Sequence, residues 1–290
     1  MNGVTTSRWV RRLRRAIRRH PALFRLRYRL VLELGSEALF AHDATNLHCH
    51  ARELPDLAHR LVAEARLPDA GGYERACRLA LHLSRGHRRG AGMSADSVTT
   101  LARLFAGEPG TCSDYSLAFQ VLCVAAAIPV REWGVCRRFD GRSGGHTFCE
   151  VWSATRRRWA MIDPSRALAA RDVDSDEPLG VAEILDRTLA GAPGRVGLVS
   201  LDPDVIVATG ARSPSALYLD PRHSFFLLSG NAIFAQDRFL RRRLLPLPLQ
   251  HGAMLVAGCY PRYQLYVTPQ TRPAQLARLR ELRTAWWRRA

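Results

Sequence analysis

The middle of this chain constrains its fold more than any other part. A turn, Gly107-Glu108-Pro109-Gly110, leads through Thr111 into Cys112 and a long apolar stretch that Pro129 ends. Leu117, Ala118, Val121, Leu122, Val124, Ala125 and Ile128 supply the apolar side of a helix predicted from about Cys112 to Ala127. The pattern then switches to strands at Val130–Cys136, His146–Trp152 and Arg158–Ile162. A buried helix followed at once by consecutive strands points to an α+β fold with an antiparallel sheet. The longest apolar run, Val121 to Val130, is too short for a spanning helix, which needs about 20 residues.

Around this centre, residues 54–66, Glu74–Arg85 and Ser94–Phe105 read as helices, the last entered through Ser94 or Asp96 as a cap. Residues 22–41 also read as helical, after His20-Pro21 interrupts a basic helix over 7–19. Gly86–Gly92 reads as a loop, and the acidic stretch Asp172–Pro178 as a surface loop. Residues 196–268 mix short apolar runs with Pro and Gly and give no clear pattern. A second basic helix is expected over 273–289, with Leu276, Leu279, Leu282, Trp286 and Trp287 as its apolar residues. The expected division is a helical region over 1–70, a core over 71–180 and an extension over 181–290.

Composition narrows the function classes. With 290 residues, 47% hydrophobic and 24% charged, the chain is not a disordered polymer. Its net charge of +17 first suggests an anionic partner such as nucleic acid, a membrane surface or an acidic protein. The charge is uneven, however. Residues 1–34 carry +9 and residues 272–290 carry +5, so only +3 belongs to the body between them. The arginine helices at the two ends can meet an acidic protein, a membrane or nucleic acid, or dock on the body through Trp9, Leu13 and Ile17. Docking is the favoured reading, because a basic stripe opposite an apolar one is a common solvated face. Arginines interrupt every apolar stretch through Arg29, so no export signal is expected. Seven cysteines without framework spacing point to free thiols in a reducing cytoplasm.

Three short segments carry chemistry. Cys112 opens the long helix, where unpaired N–H groups and the positive end of the dipole favour a thiolate. The Cys112 backbone N–H can also face a developing oxyanion. Gly144-Gly145-His146 and Ile162-Asp163-Pro164-Ser165 flank a hairpin expected to turn at Ala154-Thr155. That register sets Trp152 opposite Arg157, Glu150 opposite Trp159, Phe148 opposite Met161 and His146 opposite Asp163. Directly opposed residues can touch. Asp163 would then hold one imidazole nitrogen and leave the other for Cys112, the arrangement of a nucleophile, its base and an orienting carboxylate. Read singly, each segment is more simply a small buried thiol, a surface histidine and a turn. Their joint order on helix, strand and strand favours the catalytic reading.

Over roughly residues 74–170 the chain resembles the transglutaminase-like superfamily, which has a papain-like fold. The resemblance rests on Gly110-Thr111-Cys112, Ala127-Ile128-Pro129-Val130-Arg131, Gly145-His146-Thr147-Phe148 and Trp159-Ala160-Met161-Ile162-Asp163-Pro164-Ser165. It implies a nucleophile helix packed on an antiparallel sheet, with Cys112 as nucleophile, His146 as base and Asp163 as orienting residue. It implies attack on an amide or thioester carbonyl of a peptide, protein or carrier-bound acyl donor, with transfer to an amine or to water. It implies no metal and no organic cofactor. Phe148 stands where the family often has Trp, and Ala106 where papain-type enzymes have a Gln oxyanion donor. The alternative is a catalytically idle core of the same fold whose arginine helices engage an anionic partner.

Other candidates carry less. His42, His48, Cys49 and His50 lack zinc-ligand spacing, so no metal site is expected. Cys123 and Cys149 read as core residues. Asp220 and His223 flank Pro221 in what reads as a surface turn, with a role in a substrate pocket as the other reading.

Overall fold

A computed structural model describes residues 31–34, 56–86, 88–93, 95–136, 145–204, 207, 214–221, 223–229, 253, 262–267 and 277. Strand β1 (Val31–Leu34) is followed by helices α1 (Asp56–Glu64), α2 (Gly72–Ser84), α3 (Ser97–Phe105) and α4 (Cys112–Ala125). Strands β2 (Val130–Cys136), β3 (Gly145–Ser153), β4 (Arg158–Asp163) and β5 (Leu168–Asp172) come next. Helix α5 (Val181–Leu189), β6 (Val196–Ser200), the single turn α6 (Ser215–Tyr218), β7 (Ser224–Ser229) and β8 (Arg262–Val267) complete the order.

The eight strands form one sheet in the order β1-β8-β7-β2-β3-β4-β5-β6. Every pairing is antiparallel except that of β1 with β8. The fold is therefore α+β. The sheet draws strands from all three expected segments of the chain.

Helix α4 is central because most of its side chains are apolar and its polar residues Asp114, Ser116 and Gln120 are buried as well. Ala118, Phe119, Val121, Leu122, Cys123 and Val124 are all buried, packed among Leu79, Leu83, Leu101 and the sheet residues Val130, Cys149, Val151, Ala160 and Ile162. A helix apolar nearly all round must be covered on every side. The covers are α1, α2 and α3 together with β2 and β3. Burying a Phe or Leu of this kind stabilises by about 1.5–3 kcal/mol each. The helix closes with Ala127 at φ 57, with hydrogen bonds Ile128 N→Cys123 O of 2.8 Å and Ala127 N→Val124 O of 3.1 Å. This is a Schellman closure. Pro129 then sends the chain into β2.

The opposite face of the sheet holds a second core. Trp133, Val135, Phe148, Met161 and Ala170 meet Val181, Ile184 and Leu185 of α5, together with Tyr218 and Phe225. Within it, Glu150 is fully buried and accepts from Arg131 Nε at 2.5 Å, from Trp133 Nε1 and from Val181 N at 2.5 Å. The Arg131 guanidinium lies 4.1 Å from the centre of the Trp159 ring. The buried pair is thus hydrogen-bonded and stacked, the condition under which a buried charge is tolerated.

Several expectations hold, among them the helices around Asp56–Glu64 and Gly72–Ser84 and the strands β2 to β4. Asp96 is the cap of α3, accepting from Thr99 N at 3.1 Å. Two are corrected. Val31–Leu34 is a strand rather than part of a helix over 22–41. Its Leu-Glu-Leu alternation also suits a strand, and its partner β8 lies far away in sequence, where local periodicity carries no signal. The β3–β4 hairpin is also two residues out of the expected register. Trp152 pairs with Trp159, Glu150 with Met161 and Cys149 with Ile162. The turn takes four residues, Ala154 to Arg157, and Arg157 adopts φ 50. A two-residue slip preserves which side chains share a face.

The basic helix expected over 7–19 lies outside the described residues, and so do His42, His48, Cys49 and His50. Of 273–289 only Ala277 is described, in helical conformation. Among the described residues no helix is long and apolar enough to cross a membrane, and no cluster could hold a metal ion.

Candidate active site

The turn before α4 is fixed by its own backbone. Arg89 and Gly110 form a bridge, with Gly90 N→Gly110 O at 2.9 Å and Gly110 N→Arg88 O at 3.0 Å. Asp114 reaches back from the first turn of α4. Its Oδ2 accepts from Thr111 N at 2.8 Å and Thr111 Oγ1 at 2.7 Å, and Met93 N also donates to its carboxylate, at 3.2 Å. One carboxylate therefore satisfies donors at the helix N-terminus and ties the 88–93 segment to it. Cys112, half-buried, is the first residue of the helix so positioned. Its own backbone N–H has no acceptor among the described residues.

His146 is near the start of β3 and Asp163 ends β4. The corrected register puts them on a diagonal rather than opposite each other. Diagonal neighbours remain within reach of longer side chains. The imidazole Nε2 lies 2.7 Å from Asp163 Oδ2. Nδ1 remains for the Cys112 thiol, which lies close enough for the imidazole to lower its pKa. The Thr147 backbone N–H also acts on the thiol and lowers its pKa. Cys112, His146 and Asp163 are thus brought together.

Asp163 is fully buried and saturated. Oδ1 accepts from Ser165 N at 3.0 Å and Ser165 Oγ at 2.8 Å, while Oδ2 accepts from His146 and from Tyr218 Oη at 2.6 Å. Arg166 Nε stands 3.6 Å from Oδ2. The imidazole lies near-parallel to Phe148, ring centres 6.3 Å apart, and edge-on to Tyr218 at 6.0 Å.

The electrostatics follow from these contacts. Burial would raise the carboxyl of Asp163, but the charge and hydrogen bond of His146, with Tyr218 and Ser165, hold it below its ordinary value. Burial would lower His146, yet the charge and hydrogen bond of Asp163, helped by Cys112, raise it to about 9. Burial pushes the Cys112 thiol up, and Asp163 adds to that. The His146 hydrogen bond and charge and the Thr147 N–H outweigh both, so the thiol lies below its ordinary value. A low thiol beside a high imidazole favours thiolate and imidazolium at neutral pH.

The remaining expectations sort cleanly. Cys123 and Cys149 are buried core residues, with their thiols pushed well up by burial. Asp220 and His223 form a turn, with His223 N→Asp220 O at 3.0 Å and the His223 ring bonded to Leu217 O at 2.8 Å. Sequence reasoning missed Tyr218, Thr147 and Arg166 as neighbours of the three residues. Ser165 and Arg166 adjoin Asp163 and could have been found from the turn. Tyr218 lies in a segment with no periodic signal, 55 residues from Asp163. No protein-family model, curated protein or solved structure matches this chain.

Proposed function

We propose that the protein is a thiol enzyme of transglutaminase-like type, in which Cys112 attacks an amide or thioester carbonyl. The observation that carries this reading is the buried, fully hydrogen-bonded Asp163 placed 2.7 Å from His146, whose other ring nitrogen serves Cys112. The resemblance over residues 74–170 supplies the reaction class.

In this reading the thiolate adds to the carbonyl carbon, forming a C–S bond, and the carbonyl π electrons move onto oxygen. The Cys112 N–H meets that oxyanion at the helix N-terminus. Collapse breaks the bond to the leaving group, and the His146 imidazolium gives its proton to the departing amine. Neutral His146 then takes a proton from the acceptor, an amine or water, as it attacks the acyl-thioenzyme. Thiolate and imidazolium are restored. Asp163 stays ionised and holds the ring through Nε2. The donor is a peptide, protein or carrier-bound acyl group. The steps use no metal or organic cofactor, and the free thiols of Cys77, Cys112, Cys123 and Cys149 suit a reducing cytoplasm.

Intact mass spectrometry tests the reading. Wild type and Cys112→Ala are incubated with candidate peptides and carrier-bound thioesters, and separately with iodoacetamide. An acyl adduct confined to wild type, and alkylation of Cys112 faster at pH 7 than of Cys77 or Cys123, are the expected results. Equal alkylation of all three thiols would leave an idle fold that serves binding alone.

A further inference from the structure

We propose that Tyr218, from the segment beyond the expected core, is a positioning residue that completes the site by aiming Asp163 at His146. This rests on the thiol-enzyme reading above and goes beyond the three residues it uses.

A carboxylate such as that of Asp163 offers about four acceptor positions. Two are filled locally by Ser165, both on Oδ1. Those two bonds lie within one turn and leave the direction of Oδ2 to its own partners. Among the described residues two groups fix Oδ2 within 3 Å, His146 Nε2 at 2.7 Å and Tyr218 Oη at 2.6 Å. Arg166 Nε, at 3.6 Å, is beyond hydrogen-bond reach. Among the described residues, Tyr218 is therefore what keeps Oδ2 facing the imidazole when the His146 bond lengthens during proton transfer.

The same side chain bounds the imidazole. Its ring meets His146 edge-on at 6.0 Å and Phe148 at 5.2 Å, with Phe148 parallel to His146 on another side. Rotation of the imidazole away from Asp163 would drive it into one of these rings. Tyr218 is itself 1% exposed, and its position is set by its neighbours. Its helix turn is closed by Tyr218 N→Pro214 O at 3.0 Å, Leu217 O accepts from the His223 ring, and Phe225 of β7 packs in the same cluster. Strand β7 is paired to β2, so the turn at 214–221 leads into a strand anchored to the sheet that carries His146. A core tyrosine needs a partner for its hydroxyl, and a purely structural Tyr218 would be satisfied by any acceptor. Choosing the oxygen that already serves the base ties the hydroxyl to the chemistry.

The test is the pH dependence of iodoacetamide alkylation at Cys112 in the full chain, comparing wild type, Tyr218→Phe, Asp163→Asn and the double variant. Tyr218→Phe keeps the ring and its packing. It should slow alkylation at pH 7 by about tenfold, the scale of one hydrogen bond to a charged group. The pH at which Cys112 begins to react as a thiolate should move upward, as Oδ2 swings off the ring. In the Asp163→Asn background the same change should cost less than twofold, because a residue acting through the carboxylate has nothing left to act on. A thermal midpoint within a few degrees of wild type shows that the fold is kept. An unchanged or downward-shifted onset of alkylation in folded Tyr218→Phe, or equal effects in both backgrounds, would overturn the proposal while leaving the enzyme reading intact. A wild-type Cys112 no more reactive than Cys123 would overturn both.

Discussion

His146 Nε2 and Asp163 Oδ2 stand 2.7 Å apart across a diagonal of the β3–β4 hairpin, with the carboxylate wholly buried. The bond engages Nε2 and leaves Nδ1 for Cys112. A carboxylate so placed has one electrostatic task, to favour imidazolium over imidazole. Asp163→Asn removes the charge and keeps the shape. His146 should fall back toward its ordinary value, the Cys112 thiol should rise, and iodoacetamide alkylation at pH 7 should slow by about 10- to 100-fold. Rates measured on the isolated thiol, by peptide mapping, decide it. A change under twofold would mean that Cys112 owes its character to the helix and Thr147 alone.

Stability and pH give a second prediction. His146 is raised to about 9 in the fold, above its unfolded value. It therefore contributes stability that is fully present below about pH 6.5 and lost as pH rises through 9. Cys112 is lowered, so its contribution is present above the unfolded thiol value and lost as pH falls through the folded one. Between about pH 6.5 and the unfolded thiol value the two oppose each other. The native pair holds one proton on His146 while the unfolded chain holds one on the thiol. Cys112→Ala breaks this balance and leaves the His146 slope exposed. Urea unfolding should show the variant losing about 1–3 kcal/mol relative to wild type between pH 6.5 and 9. Parallel curves would show that the ion pair does not form.

Glu132 on β2 offers a third. It receives Gln120 Nε2 at 2.6 Å and lies opposite Cys149 across the ladder. Burial raises its carboxyl to about 7, with the Gln120 bond pulling the other way. The native state thus keeps a proton that the unfolded chain releases from about pH 4.5, and stability falls as pH rises from there through 7. Glu132→Gln keeps an acceptor for Gln120 and removes the titration. The variant should equal wild type near pH 4.5 and exceed it by about 1–3 kcal/mol at pH 8 in urea unfolding. A deficit at pH 8 would mean that the ionised carboxylate is better solvated than its surroundings suggest.

The sequence legibility of this site follows from distance along the chain. Cys112, His146 and Asp163 could be read because each sits where a local pattern begins or ends, at a helix start, a strand start and a strand end. The face shared by His146 and Asp163 could be read from alternation, which a two-residue slip does not disturb. The register itself could not, because Arg157 adopts a left-handed conformation that its side chain does not announce. Val31–Leu34 and Tyr218 were illegible for another reason. A strand paired to β8 and a hydroxyl bonded to Asp163 depend on partners far along the chain, and neither local stretch holds a trace of them.

Gly90 yields the last prediction, because the approach to Cys112 depends on it. A side chain there would set Cβ 2.5 Å from the Pro109 carbonyl oxygen and 2.7 Å from its carbon. Both are backbone atoms, so no rotamer change relieves the contact. Room can be made only by moving Pro109-Gly110 or opening the bonds Gly90 N→Gly110 O and Gly110 N→Arg88 O. Either movement passes through Thr111 to Cys112, two residues beyond Gly110. Gly90→Ala should cost about 1–3 kcal/mol in unfolding free energy, as for other substitutions that force backbone rearrangement. Cys112 alkylation should also slow in the protein that remains folded, since a sulfur displaced by about 1 Å leaves both the imidazole and the Thr147 N–H. Gly107→Ala serves as the control. It lies on the same approach and is strained by φ 82, but a Cβ there meets nothing within 4 Å. It should lower stability without changing Cys112 reactivity in the folded protein. If both variants slow the thiol equally, general loosening of the loop governs Cys112, and the close packing of Gly90 on Pro109 has no special part in placing it.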